Sequence, residues 1–240
     1  MFSHEWKRIL DEIISFSEES NIWFRGHASE KYTLDSGLFR TSVSDINELI
    51  NMETQLFNYY KNLGYMLHGE ENVWNQLYSM QHHGVKTRLL DWTESFSVAL
   101  YFAVESWKSS DNATIWLLKP MQLNKLSRDT ENVISPNKIN YLDIYKEKDL
   151  RSFAIFPIKN SKRIMAQHGV FTIQGNSHLP LEKEFNGALA ERNILKRIVL
   201  PPSVRTDAEQ FLKLNGVNTF SMFPDLPGLS SYINKICMPY

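Results

Sequence analysis

Ala113-Thr114-Ile115-Trp116-Leu117-Leu118 is an apolar run of strand length that stops at Lys119-Pro120, and reading it as a strand decides the fold class. Three more such runs follow it: Phe153–Ile158, Val170–Ile173 and Ile194–Leu200, each bounded by Pro, Gly or charge. Ahead of it the chain is mainly helical. Trp6, Ile9, Leu10, Ile13 and Ile14 recur on one helix face. A short aromatic strand, Ile22-Trp23-Phe24, then ends at Arg25-Gly26. A helix is predicted from Asp45, where Asp45 and Glu48 have capping-box spacing, to a stop at Gly64. A short helix over Val73–Met80 follows. Another helix face, Phe96, Ala99, Leu100, Ala103 and Trp107, starts among Asp91–Thr93. After the strands, a helix from about Ser203 to Asn215 is expected, with Thr206 and Glu209 as its capping box and Gly216 past its end. Asn124–Lys148 reads as a long loop or inserted hairpin. The expectation is one α+β domain over residues 1–240, helix-rich first and strand-rich later, around a mixed or antiparallel sheet.

Size and composition agree with a single globular unit. Among 240 residues, 42% are hydrophobic and 22% charged, which excludes a disordered or fibrous chain. The 26 Lys+Arg and 27 Asp+Glu leave a net charge of −1, so no global field draws the chain to nucleic acid or an anionic membrane, although a local patch stays open. The lone Cys237 fits a reducing compartment. The N-terminus lacks the shape of a signal peptide, and no apolar run approaches the ~18 residues of a membrane span. A cytoplasmic protein with no membrane partner is the expectation.

Three places put chemistry where an element ends. The first is Trp23-Phe24-Arg25-Gly26-His27, where a strand delivers an arginine suited to bidentate phosphate or carboxylate binding. An ordinary surface arginine after an edge strand is the bland alternative. The second is Gln81-His82-His83-Gly84-Val85-Lys86-Thr87-Arg88-Leu89-Leu90-Asp91-Trp92-Thr93, dense polar chemistry leading to a helix N-terminus, which favours anions. Asp91 there has two competing readings. With Glu94 it forms a capping box, or it polarises a ligand hydroxyl or holds Arg88; Thr93 is an equal candidate for the cap. His82-His83 invites a metal, but adjacent residues diverge and no third ligand is evident; no metal is expected. The third is Arg163-Ile164-Met165-Ala166-Gln167-His168-Gly169-Val170-Phe171-Thr172-Ile173, where Gln-His-Gly enters a strand and echoes the second segment. Its alternative is a turn with His168 exposed. Glu182-Lys183-Glu184 reads as a solvated helix face. The motifs of P-loop ATPases, Rossmann dehydrogenases, α/β-hydrolases and zincins are missing.

Together these segments resemble the FRG domain, a bacterial and phage family named for Phe-Arg-Gly, here Phe24-Arg25-Gly26. Leu34 and Leu38-Phe39-Arg40 are similar to the segment after that motif. Gln81–Gly84 and Thr87–Thr93, with Ala99-Leu100-Tyr101-Phe102-Ala103, resemble the longest block. Arg163-Ile164 with Gln167–Phe171, and Phe223–Leu226 with Gly228-Leu229, resemble the later ones. The resemblance runs from about residue 21 to 233 and departs at Lys86, where the family often has Pro. It implies a setting in toxin or phage-defence systems. A second similarity is to ADP-ribosyltransferases of the arginine–serine–glutamate type. Phe24-Arg25-Gly26 stands for their aromatic-Arg-Gly, Asp91-Trp92-Thr93 for their Ser-Thr-Ser, and Gln167 or His168 for their glutamate. That resemblance implies NAD as substrate, with Arg25, Asp91, Thr93 and Gln167 catalytic. It assigns Phe24, Gly26, His83, Arg88, Trp92 and His168 to NAD binding, with Trp92 stacking on nicotinamide. The acceptor would be a nucleic acid or a protein. Two other readings stand beside it: a non-catalytic nucleotide- or nucleic-acid-sensing module, and a metal-independent nuclease using His82 or His83.

Overall fold

A computed structural model describes residues 1–18, 20–69, 71–144, 146–159 and 161–238. The chain is an α+β fold around one six-stranded antiparallel sheet. In order the elements are α1 (His4–Ser17), β1 (Trp23–His27), α2 (Ile46–His68), α3 (Val73–His82), β2 (Leu89–Thr93), α4 (Phe96–Glu105) and β3 (Ala113–Leu118). Then come α5 (Pro120–Arg128), α6 (Tyr141–Ile144), β4 (Phe153–Ile155), α7 (Lys162–Ala166), β5 (Gly169–Ile173), α8 (Ala188–Glu191) and β6 (Leu195–Leu200). The chain closes with α9 (Arg205–Leu214), α10 (Thr219–Met222) and α11 (Leu226–Cys237). Across the sheet the strands run β4-β5-β2-β1-β3-β6. No helix among the described residues is long and apolar enough to cross a membrane.

The register sorts side chains onto two faces, because neighbours in a strand alternate and cross-strand partners share a side. Phe24 opposite Leu117 and Gly26 opposite Ile115 look toward α1, α4 and α9. At the far end of that same face, Leu89, Phe171 and Ile173 pack under α3 and α6. The other face gathers Trp23, Leu90, Trp92, Trp116, Leu118 and Val170 against Leu123 of α5 and the Leu181–Leu189 segment. β3 is buried along its whole length, as a central strand covered on both faces must be.

Several boundaries differ from the sequence reading. Residues 89–93 are strand β2, not the start of a helix, so three strands lie on each side of residue 120. Asp91 is therefore no helix cap; α4 starts at Phe96, and Ser95 holds the cap position without a side-chain bond. α2 runs through Gly64 and stops at Gly69, whose φ of +69° suits glycine. α9 carries no Thr206 capping box; its N-terminal neighbour is Val204. The Asn124–Lys148 stretch holds the end of α5, a 3₁₀ turn and α6, while residue 145 lies outside the described residues. Glu184 is fully buried and not on a solvated face. Its carboxylate accepts from the Ser152 amide and hydroxyl, and burial pushes its pKa up.

Candidate functional site

β1 and β2 are paired at a single position, Phe24 opposite Thr93. A continued antiparallel ladder would bring Arg25 against Trp92 and then Gly26 against Asp91. The Asp91 carbonyl instead accepts Nη1 of Arg25 at 2.6 Å. The strands part at this seam, and a cleft of about 710 Å³ opens over it, between the two cores that share that face. Its walls come from both strands, the segment after β1, and helices α3, α4 and α7, with Phe223 beside them.

Gly26 explains how α4 reaches the seam. A Cβ there would lie 1.8 Å from the Ala99 carbonyl oxygen, so only glycine admits the helix backbone that close. Val98, Ala99 and Phe102 of α4 then form one wall of the cleft. Phe24 lines it too, and is otherwise a core residue packed on Phe96.

Arg25 is held from two sides. Besides the Asp91 carbonyl, its Nε donates to Nε2 of His27 at 2.9 Å. The nearer Asp91 carboxylate oxygen is 4.0 Å from Nη1. The Arg25 side chain is 16% exposed and that of Asp91 58%, so a ligand has access to the carboxylate while the guanidinium is largely withdrawn from water. Burial lowers the Arg25 pKa to about 10, against the pull of Asp91, and the group stays cationic at neutral pH. Burial, followed by the charges of Arg25 and Arg40, depresses His27 to about 3. His27 is thus a neutral acceptor for Arg25.

The charge around the cleft is one-sided. Arg25, Lys31, Arg40 and Arg163 line it, against the single carboxylate of Asp91. Arg40 spends its Nε and Nη2 on the Asp35 carbonyl, which leaves its charge uncompensated by that contact. The Arg163 guanidinium stacks on Phe223 with 4.3 Å to the ring centre, and its Nε has no hydrogen-bond partner. In a chain of net charge −1, this local excess selects anions.

Arg25, Asp91, Thr93 and Gln167 all line this one cleft. Their hydrogen bonds divide them. The Asp91 carboxylate accepts from Nε2 of Gln81 at 2.8 Å, and Gln81 in turn accepts from the Thr87 hydroxyl at 2.6 Å. That relay aims the carboxylate and leaves it open to solvent. The Thr93 hydroxyl, by contrast, donates to the Gln167 carbonyl and accepts from the Ser95 amide. Its hydrogen bonds tie β2 to the turn before β5, so it positions the site and is not free to orient a ribose. The Gln167 carboxamide donates to the Met222 carbonyl at 3.1 Å, joining α7 to α10.

Four of the expected binding residues are placed otherwise. Arg88 is fully buried in an ion pair with Glu53 of α2, through Nε at 2.9 Å and Nη2 at 2.5 Å. Tyr141 donates to the same carboxylate. A charge this deep needs its counter-ion, and that pairing makes Arg88 a strut between α2 and the sheet. Trp92 borders the cleft, but its indole sits in the opposite core and donates to the Thr172 hydroxyl at 3.0 Å, so it offers no face for stacking. His83 ends α3 on the exposed surface outside the cleft. His168 adopts a positive φ of 46° in the exposed turn before β5.

The cleft also holds Arg40, Phe102 and Phe223, together with His27, Gln81, His82 and Arg163, which the sequence placed in chemistry-bearing segments, His82 as a nuclease candidate, without assigning them to NAD. Gln81 and Gln167 carried a signal. Their echoed Gln-His-Gly turns each join a helix end to one of the paired strands β2 and β5, which brings both glutamines to the same cleft. Among the described residues, no group of three or more His, Cys, Asp or Glu is placed to hold a metal ion.

The fold and site define an α+β protein with an anion-receptive cleft at a seam in its sheet. Residues 20–112 match the FRG domain. That match spans β1, β2 and α4, and so includes Arg25, Gly26, Asp91 and Thr93; Arg163, Gln167 and Phe223 lie beyond it. No curated protein matches the chain, and no solved structure does.

Proposed function

We propose that the chain as a whole is an FRG-domain protein whose seam cleft takes NAD, and that it acts as an ADP-ribosyltransferase-like toxin or anti-phage effector in the cytoplasm. The observation that carries this reading is Arg25: a cation withdrawn from water, fixed on both its Nε and Nη1, beside one solvent-open carboxylate. A pyrophosphate supplies the charge such a site lacks, and the cleft volume is in the range that holds a small organic ligand.

In this reading Arg25, helped by Arg40 and Lys31, holds the pyrophosphate. Asp91 accepts from a ribose hydroxyl and offsets the positive charge that grows at C1′. Gln81 keeps Asp91 aimed, while Gln167 and Thr93 hold the far wall. NAD supplies the bond that breaks: nicotinamide leaves with the electron pair of its link to C1′, and an acceptor nucleophile, losing a proton, forms the new bond there. Asp91 takes the electrostatic task of the glutamate that Gln167 replaces, since an amide carries no charge to offer.

A second reading, a nucleotide-sensing module without turnover, is favoured by one feature. Asp91, the one carboxylate of the cleft among the described residues, is already shared with Gln81 and faces Arg25. The nuclease reading has less support. Burial, His83 and Arg163 lower the His82 pKa, which disfavours the protonated ring that a general acid needs.

Calorimetric titration of the full chain with NAD and with ADP-ribose tests the reading. Saturable binding of both, at least tenfold weaker in Arg25→Ala, is expected. No binding by folded wild type, or equal binding by the variant, would overturn it.

A further inference from the structure

A second cavity, of about 650 Å³, shares no lining residue with the first. Lys119, at the end of β3, is one of its walls. Lys119 is 6% exposed. Among the described residues its ammonium meets an aromatic face and no carboxylate: Nζ lies 4.7 Å from the ring centre of Phe16. Glu131 also lines the cavity but is paired there with Lys125 at 3.7 Å, and Glu12 is paired with Lys196 at 2.9 Å. A buried ammonium without a counter-ion is costly. Ser20 borders the same space, and among the described residues its buried hydroxyl has no hydrogen-bond partner.

The same cavity meets the N-terminus of α5, a helix of nine residues. Lys119 is its cap residue and makes no side-chain cap bond; Pro120 has no N–H to give. The next two residues, Met121 and Gln122, line the cavity, and their amides belong to the first turn, where N–H groups lack intrahelical acceptors. Arg192, just past α8, reaches the opening.

We infer that this cavity is an oxyanion site for a phosphate group, free or carried by a phosphate monoester, independent of the seam cleft. Lys119 supplies the counter-charge, Ser20 the hydroxyl donor, the start of α5 its amides and dipole, and Arg192 a fork at the rim. The helix end alone would not specify this ligand. Lys119, buried and without a carboxylate partner among the described residues, and Ser20, with an unpaired hydroxyl beside the same cavity, do.

Equilibrium dialysis of the full chain against labelled inorganic phosphate, at constant ionic strength, tests the site. Lys119→Met keeps the straight stem over Phe16 and removes the charge. Arg192→Gln alters only an exposed side chain. Arg25→Ala controls for the seam cleft. Saturable phosphate binding is expected in wild type and in Arg25→Ala, and at least tenfold weaker binding in both Lys119→Met and Arg192→Gln. A parallel titration of Arg25→Ala with a 5′-mononucleotide separates the sources: competition with phosphate assigns a phosphate monoester, and its absence assigns the free ion. Phosphate binding that disappears in Arg25→Ala and persists in folded Lys119→Met, or no saturable binding by wild type, would overturn the proposal.

Discussion

Nη1 of Arg25 donates to the main-chain carbonyl of Asp91 at 2.6 Å, while the carboxylate of the same residue stays 4.0 Å away. The arginine thus replaces a missing rung of the β1–β2 ladder. It spends its hydrogen bonds on that carbonyl and on the neutral His27 ring, and keeps its charge for something else. The seam and the anion site are one construction.

Arg25→Lys tests that dual use. Lysine keeps the charge but has no planar fork, so it cannot reproduce the bonds to both His27 and Asp91. NAD affinity measured by calorimetry is expected to fall at least tenfold. Unchanged affinity would show that charge alone suffices and that the fixed geometry is irrelevant.

Gly26→Ala should damage the frame of the site. The added methyl meets the Ala99 carbonyl at 1.8 Å, and helix backbone yields poorly. Overpacking costs roughly 1–3 kcal/mol, which for a domain of this size lowers Tm by about 2–4 °C per kcal/mol. Thermal melting followed by circular dichroism measures it. An unchanged Tm would mean that α4 is not seated on β1 as described.

The pair Arg88–Glu53 should behave as a strut. Arg88→Met leaves Glu53 buried without its cation, and the loss expected from breaking such a pair is about 3–5 kcal/mol. Arg88→Met combined with Glu53→Leu should cost less than the sum of the two single changes. Urea unfolding of the four proteins gives the coupling. Additivity within error would contradict the pairing.

Stability should fall as the pH drops below about 6.5, in part through His27. Its pKa is about 3 in the folded chain, held there by burial and by Arg25 and Arg40, against the ordinary 6.5. Between those values the unfolded chain binds the proton and the folded chain does not, so acid favours unfolding; above 6.5 the contribution is constant. The limiting slope for one proton is about 1.4 kcal/mol per pH unit. His27→Gln should flatten the urea midpoint between pH 6.5 and 4. A variant with the wild-type slope would remove His27 from the account.

Much of this was legible in the residues. β3, β5 and β6 follow from bounded apolar runs of strand length and the faces of α1 and α4 from helical period, and Arg25, Asp91, Thr93 and Gln167 line one cleft. β2 was hidden because its middle residue, Asp91, imitates a helix cap, while Leu89, Leu90 and Trp92 fill two different cores and blur the alternation of a strand. Gly64 looked like a helix stop, yet an interior glycine costs only about 1 kcal/mol, and α2 continues through it. Arg88 looked like a ligand group because its partner, Glu53, lies 35 residues earlier, a distance that local pattern does not span. The splitting of β1 from β2 is likewise a property of the assembled sheet.

The central claim is tested most directly by nicotinamide release. Purified full chain is incubated with NAD, with and without nucleic acid and cell extract, beside Arg25→Ala and Asp91→Asn. The account expects release by wild type that is abolished in Arg25→Ala and cut at least a hundredfold in Asp91→Asn, whose fold is retained. Binding of NAD with no release under any condition would contradict transfer chemistry and leave the cleft as a nucleotide sensor.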